Sequence, residues 1–596
     1  MSSADRLSAL RRELEKRGWD GFLVPRSDEH QGEYVPPGAE RLAWLTGFTG
    51  SAGQAAVLLD KAAIFVDGRY TLQVRSQVDT EFFAPRHTTD EPLSDWLSET
   101  LPKGARLAFD PWLHTPRQVE RLRRWTEAAG GELVAADGNP LDAVWQDQPA
   151  PPRAPVCDHP LEYAGRGSAE KRQDVAAEMK KKGIEVAFLS APDSIAWLLN
   201  VRGGDVPHTP LPLSFALLHD DGKVDWFVDP AKLSGGSPPR LDNAVSTREP
   251  EAMAGLLDQL SGRKVLLDPG SAPEWVRARL CQAEAVYVAG ADPCQLPKAR
   301  KNAVELEGAR AAHRRDGLAL CRFLAWFDDR VARLGGGDTL DELQVVDQLV
   351  KFRQSDPLFR DLSFDTIAGS GPNGAIVHYR VTPQSNRRLA PGELFLLDSG
   401  AQYPDGTTDV TRTLPVGPPS AEMRRCFTLV LKGHIAIARA RFPKGTTGSQ
   451  LDSLARYPLW QEGFDYDHGT GHGVGSYLGV HEGPQRISKL PNTTPLEPGM
   501  IVSNEPGYYR VEAFGIRIEN LVSVIAAKDT AGDERTMLAF ETLTLAPIDL
   551  RLVEPGLLTA EERAWLNAYH ERVRDAHADA LDGAERTWLE EATRAC

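Results

Sequence analysis

Residues 394–413 read LFLLDSGAQYPDGTTDVTRT. An apolar run ends at Asp398, a glycine and a polar turn follow, and a second strand-like run opens just after Asp409. The two aspartates stand 11 residues apart, a distance over which a hairpin can return and bring both carboxylates to one place. Aspartates that close turns are common, so the pair gains meaning only from what lies further along the chain.

Residues 468–484 read HGTGHGVGSYLGVHEGP and hold His468, His472 and His481 among six glycines, 469, 471, 473, 475, 479 and 483. So many glycines weaken any regular element but let the backbone approach an ion or a substrate closely. Downstream, NEPGYY (504–509) supplies Glu505, and GIRIEN (515–520) supplies Glu519 with Arg517 two residues before it. Asp398, Glu505 and Glu519 all sit at or beside apolar strand-like runs. A buried, unpaired carboxylate would sooner protonate than stay charged, so several together need positive charge beside them. Arg517 could serve one of them, but not four.

Two divalent cations would balance four carboxylates. An oxygen-rich set with one imidazole suits Mn²⁺ or a similar hard-to-borderline ion, and no cysteine lies in these motifs to favour a structural zinc site. Two such ions about 3.5–4 Å apart can hold a bridging hydroxide, polarise a carbonyl and clamp the developing oxyanion. That chemistry is hydrolysis of an amide or an ester.

The first 300 or so residues show a repeated pattern. RRELEKRG, GFLVP and LAWLTGF in 11–48 follow the same order as VAAEMKKKG, VAFLSAP and IAWLLN in 175–200. Gly18 and Gly183 each follow a basic helix end, where a left-handed glycine stops a helix. Paired strands ending in valine-aspartate come next in each copy, so two α/β domains of one kind are expected. The proline-rich VWQDQPAPPRAPVCDHP (144–160) reads as a linker rather than as helix or central strand. A long helical pattern starts near Pro297, with Leu306, Ala309 and His313 on one face, then Leu318, Cys321 and Leu324. The last stretch, from LTAEERAW onward, opens with a threonine cap and a glutamate three residues later and reads as helix. The expected domains are therefore 1–150, 151–296 and 297–596.

Bulk properties narrow the function. With 84 acidic against 68 basic side chains, net charge −16, no broad positive field exists to attract nucleic acid. No apolar run reaches the ~20 residues that span a bilayer, and the charged N-terminus lacks the apolar stretch of a signal peptide. Six scattered cysteines without CxxC spacing read as reduced packing residues of a cytoplasmic protein.

The quoted motifs resemble the metal-site motifs of the "pita-bread" metallopeptidases. Within them the chain resembles the Xaa-Pro aminopeptidases (aminopeptidase P) in their long, three-domain cytosolic form. The likeness reaches upstream through GFTGSAG, FVDGRY and IAWLLNVRGGDVPHTP. It implies an α/β (α+β) chain, with two creatinase-like N-terminal domains before a pita-bread catalytic domain. It also implies a metal-dependent aminopeptidase that removes one residue ahead of proline through a hydroxide bridging two metals.

By the same resemblance Asp398 binds one metal, His472 and Glu505 the other, and Asp409 and Glu519 bridge them. Glu505 doubles as the base. His378, in GSGPNGAIVHY, lies near the scissile peptide, His481 contacts the carbonyl under attack, and His468 helps hold the proline-side residue. Arg517 orients ligands, and Arg69 of DGRY reaches the substrate cleft, with a surface-turn arginine as the plain alternative. A homodimer through the third domain is implied as well. Three rivals share the fold: a prolidase confined to Xaa-Pro dipeptides, a metal-free creatinase-like hydrolase, and a silent peptide-binding module like the histone-chaperone relatives. Two N-terminal domains count against the first; the intact ligand set and missing acidic tract count against the others.

Overall fold

The computed structural model describes residues 1–235, 239–528, 532 and 534–596. It divides into two compact units, Met1–Pro160 with Arg166–Gln295, and Leu161–Gly165 with Leu296–Cys596.

The first unit contains the duplication in full. Strands β1 (Gly21–Pro25), β2 (Gln54–Leu58), β3 (Ala62–Val66), β4 (Ala84–His87), β5 (Arg106–Phe109) and β6 (Glu132–Ala135) form one sheet. A second sheet uses β7 (Val186–Leu189), β8 (Phe215–His219), β9 (Val224–Phe227), β10 (Val245–Arg248), β11 (Lys264–Leu267) and β12 (Val286–Ala289). The orders are β4-β3-β2-β1-β5-β6 and β10-β9-β8-β7-β11-β12, the same path twice. Strand directions repeat too: β1–β2 and β7–β8 are antiparallel, β1–β5 and β7–β11 parallel. In the first sheet Phe22, Val24 and Ile64 pack on one face while Leu23 and Phe65 pack on the other. Both faces are covered, which is why these strands are continuous apolar runs rather than alternating ones.

Gly18 and Gly183 take φ of 68° and 67° after the helices Ser3–Arg17 and Ser168–Lys181, as their left-handed role requires. The proline-rich stretch lies inside this unit: Ala154 N donates to Asp205 Oδ1 and Val156 N to Lys232 O. Its end departs from the linker reading, because Cys157–Asp158 forms a short strand with Val201–Arg202. All six cysteines are free; Cys294, Cys321 and Cys426 are buried, whereas Cys157 and Cys281 are exposed.

The second unit positions the carboxylates. Its first long helix, α1 (Ala303–Arg333), starts later than the pattern from Pro297 implied, because Asn302 caps it in a reciprocal box with Glu305. With α2 (Glu342–Arg353) it backs a three-stranded sheet of β13 (Ile367–Ser370), β14 (Glu393–Ser399) and β15 (Val410–Val416). Phe323, Phe327, Val345, Leu349, Phe395, Leu397 and Val410 share that core. Leu397 faces the helices, so by strand alternation Asp398 faces the other way.

A second helix pair, α3 (Ala421–Ala438) and α4 (Gly448–Trp460), backs a six-stranded sheet. Its strands are β16 (Phe442–Pro443), β17 (Gly471–Gly473), β18 (Glu482–Ile487), β19 (Ile501–Asn504), β22 (Asn520–Ala526) and β23 (Met537–Thr542), ordered β16-β23-β22-β19-β17-β18. The hairpin of β20 (Gly507–Arg510) and β21 (Phe514–Arg517) stands between β19 and β22. Ile437, Leu451, Ala455, Val502, Val522 and Val524 form the core under the helices.

The C-terminal stretch opens with the Thr559–Glu562 capping box on α5 (Ala560–His577). It then breaks at Leu581 and the left-handed Gly583 into a second helix, Gly583–Ala592, where one helix was expected. Helix α5 buries Leu566, Tyr569, His570 and Val573, so it is a packing element of this unit.

Candidate metal centre

Register brings the acidic side chains together. Across the β14–β15 pair Asp398 stands opposite Thr411, and Asp409 directly precedes β15. Asn504 pairs with Asn520 across β19 and β22, so Glu505 and Glu519 leave two adjacent strands at the same level. His472 sits in β17, whose Gly473 pairs with Val502 of β19. The two sheets are stitched together where they meet: Glu519 N donates to Thr411 O (3.1 Å) and Thr411 Oγ1 donates to Glu519 Oε2 (2.8 Å).

Asp409, His472 and Glu519 each offer a ligating atom within 4.8 Å of the others. His472 Nε2 lies 3.4 Å from Asp409 Oδ2 and 3.5 Å from Glu505 Oε1. Its Nδ1 is 3.0 Å from Gly473 O; with a proton held there, Nε2 is the nitrogen that can offer a lone pair once the imidazole is neutral. Ser503 Oγ links the other partners, accepting from His472 N and donating to Glu505 Oε1 at 3.0 Å.

The decisive feature is what these oxygens lack. Asp398 Oδ1, Asp409 Oδ1 and Glu519 Oε1 are buried and have no hydrogen-bond partner. Burial, then repulsion from Asp398 and Glu505 against a favourable His472, pushes the Asp409 carboxyl up to about 6. Burial and the neighbouring Asp409, Glu505 and Asp398 push Glu519 well above the ordinary range. Burial opposes a charged His472, but Asp409 and Glu505 outweigh it and lift the imidazole to about 9. Orphaned oxygens around one imidazole are a donor set that divalent cations satisfy and that nothing else among the described residues does. The residues present fit such ions.

Arg517 ties the surroundings to this cluster. It is buried and donates to Asp398 Oδ2 (2.6 Å), Thr411 Oγ1 (3.1 Å), Tyr509 OH (2.5 Å) and Val377 O (3.3 Å). Tyr509 OH in turn lies 2.8 Å from His468 Nε2, and His468 Nδ1 lies 2.8 Å from Gly469 O. Both His468 nitrogens thus have partners inside the protein, a more structural setting than a substrate contact implies. His481 is exposed, its ring centroid 4.3 Å from that of His472 in an edge-to-face contact. Half-buried His378 directly follows the Val377 carbonyl that Arg517 holds.

Arg69 lies in the first unit, after β3. It is bonded to Asp67 Oδ1 (3.0 Å) and Oδ2 (2.8 Å) and stacked over Tyr70 at 5.2 Å. The glycine-rich stretch works differently from its reading. None of its six glycines is left-handed; instead a Cβ on Gly471 would meet Ser503 O at 2.0 Å and one on Gly473 would meet Glu482 O at 2.3 Å. Gly471 and Gly473 let neighbouring strands approach closely.

Arg412 was not singled out by the sequence reading. Fully buried, it donates to the carbonyls of Thr411, Glu519, Ala546 and Pro547, to Asn520 Oδ1 and to Tyr569 OH of α5. It fixes the backbone on which Glu519 stands. An arginine inside the apolar run VTRTLPV was the available signal, since such a group is buried only when fully bonded.

Models of the creatinase/prolidase N-terminal domain match residues 6–143 and 147–305. The metallopeptidase family M24 matches 307–526, and the C-terminal region of that peptidase matches 536–596. Aminopeptidase P2 of Arabidopsis thaliana is 40% identical, over 99% of this chain and 88% of the plant protein. The chain belongs to the aminopeptidase P family of M24 metallopeptidases. A probable Xaa-Pro aminopeptidase P of Paracoccidioides brasiliensis is 39% identical over 100% of this chain and 99% of its own. The X-prolyl aminopeptidase of Caenorhabditis elegans, described as a cytosolic enzyme with a di-nuclear active site, superposes with a TM-score of 0.93. It is 33% identical and covers 100% of both chains. A prolidase from Thermococcus sibiricus shares the fold at a TM-score of 0.51 and 24% identity, but covers only 65% of this chain. The expected architecture, two creatinase-type domains ahead of a pita-bread domain, is thereby borne out. Among the described residues no helix is long and apolar enough to cross a membrane.

Proposed function

We propose that this aminopeptidase P family member hydrolyses the bond between the first residue and a proline at position two. The observation that carries the reading is the set of partnerless buried oxygens on Asp398, Asp409 and Glu519 around His472. In this reading Asp398 would hold one divalent ion, His472 and Glu505 the other, and Asp409 and Glu519 would serve both. The oxygen-rich set favours Mn²⁺. Bound there, such ions would supply Lewis-acid polarisation of the scissile carbonyl and a water of lowered pKa.

The chain's own groups do the rest. Glu505, steadied by Ser503, takes the proton of the attacking water and delivers it to the proline nitrogen as the C–N bond breaks. His481, exposed beside His472, donates to the carbonyl oxygen as negative charge grows there. His378 flanks the scissile peptide, and His468 steadies the proline side through Tyr509. Arg517 keeps Asp398 oriented. A prolyl amide has no N–H, so the site needs no acceptor for one and can present apolar surface to the ring.

Similarity to aminopeptidases P along the whole chain, at 39–40% identity, supports the aminopeptidase over the dipeptidase. An Arg-Pro-Pro peptide should therefore be cleaved with a higher kcat/KM than the dipeptide Arg-Pro. The reverse order would make the chain a prolidase. We assign the segments 1–150, 151–296 and 297–596 as its domains and the cytoplasm as its compartment, in keeping with six free cysteines. Leu454, Tyr457 and Trp460, exposed apolar residues along α4, support a homodimer through the catalytic domain. Sedimentation should find a dimer for the native chain and a monomer for Trp460→Glu; a native monomer would end that assignment.

A further inference from the structure

One buried carboxylate outside the metal centre gathers more hydrogen bonds than its own helix requires. Glu342 opens α2 and is fully buried. Its Oε1 accepts from Ser370 N (2.7 Å) and Asn373 Nδ2 (3.0 Å). Its Oε2 accepts from Asn373 Nδ2 (3.1 Å), Tyr379 OH (3.0 Å) and Arg387 N (2.9 Å). Glu342 N returns a bond to Arg387 O. The donors sit at both ends and in the middle of one segment, 370–387, whose only regular element beyond Ser370 is the short turn Gly371–Ala375. A segment of this length and irregularity owes its conformation to such ties.

That segment carries His378. On one side of the histidine, Val377 O accepts from Arg517, which also holds Asp398. On the other, Tyr379 OH lies 3.0 Å from Glu342 Oε2 and 2.8 Å from Ser385 O, so its one proton is shared between the carboxylate and the 370–387 segment itself. Close backbone packing completes the fit: a Cβ on Gly515 would meet Gly374 O at 1.7 Å. The histidine is thus clamped between the Arg517 system and the Glu342 carboxylate.

We propose that Glu342, through Tyr379, is a positioning residue that sets His378 against the substrate without touching it. The proposal rests on the reading of His378 as a substrate-contacting residue. A plain scaffold role for Glu342 is the alternative. The two differ in one respect: a positioning residue should matter only while the group it positions is present.

The test is a cycle of Glu342→Gln and His378→Ala on the metal-loaded enzyme, read as kcat/KM on an Arg-Pro-Pro peptide with metal content measured alongside. Glutamine keeps the shape but turns an NH2 toward donors that need an acceptor. Glu342→Gln should lower kcat/KM about 10- to 100-fold with metal content unchanged, yet cost less than about 3-fold in the His378→Ala background. Equal losses in both backgrounds would overturn the proposal. A His378→Ala enzyme at the native rate would instead remove the underlying reading of His378. Should Glu342→Gln fail to fold, Tyr379→Phe, which deletes one hydroxyl, replaces it in the same cycle. It is expected to give a smaller loss that likewise vanishes without His378, and an additive loss overturns the proposal.

Discussion

Glu519→Ala is expected to abolish measurable turnover and to lower bound metal. Glu519 is fully buried with one oxygen held by Thr411 and the other without any partner, the arrangement of a group shared between ions. Loss of an outer-shell partner costs about 10–100-fold in metal affinity or activity, and a shared ligand should exceed that. The variant also separates site from scaffold. Burial first, then Asp409, Glu505 and Asp398, disfavour a charged Glu519 in the metal-free protein, so the substitution should cost less stability there than in the metal-loaded protein. Saturating Mn²⁺ should raise the melting temperature of the native protein, because binding to the folded state alone stabilises by about 2.7 kcal/mol at 100 times Kd. The variant should show little of that rise. Asp409→Ala should behave alike. Full metal content with a normal rate would take the substituted residue out of the site.

His481→Ala should separate rate from metal. His481 is exposed and touches the His472 ring edge to face, but it is not part of the group formed by Asp409, His472 and Glu519. Its proposed work is donation to the oxygen of the attacked carbonyl. Removing one donor of that kind costs about 10²–10³ in kcat. The variant should therefore lose most of its rate at unchanged metal content and with KM little altered. Metal loss would make His481 a ligand; a native rate would leave it a surface histidine.

The carboxylates were legible because burial makes them anomalous. Asp398, Glu505 and Glu519 announce themselves as acids beside apolar runs, and strand pairing then brings them together. The duplicated first unit was legible for a similar reason: both copies keep the same apolar runs and the same glycine stops at Gly18 and Gly183. What could not be read depends on contacts between distant chain segments. Arg412 looks like any strand arginine until its six partners, from Thr411 to Tyr569, are assembled around it. The glycines of 468–484 predict close approach, but not that the approaching atoms belong to Ser503 and Glu482. The helical pattern near Pro297 is split, a short turn of helix over Gln295–Ala299 and then the long helix restarting at Ala303 behind its Asn302 cap. His468, read as a substrate group, meets Tyr509 from a hairpin about 40 residues on, a pairing that no local pattern encodes.

Metal content per chain tests the account most directly. After chelation and reloading with Mn²⁺, elemental analysis of the native protein should return two ions per chain. Anomalous diffraction should place both among Asp398, Asp409, His472, Glu505 and Glu519. Retention of full activity by thoroughly stripped protein, or two ions seated away from those five side chains, would contradict it.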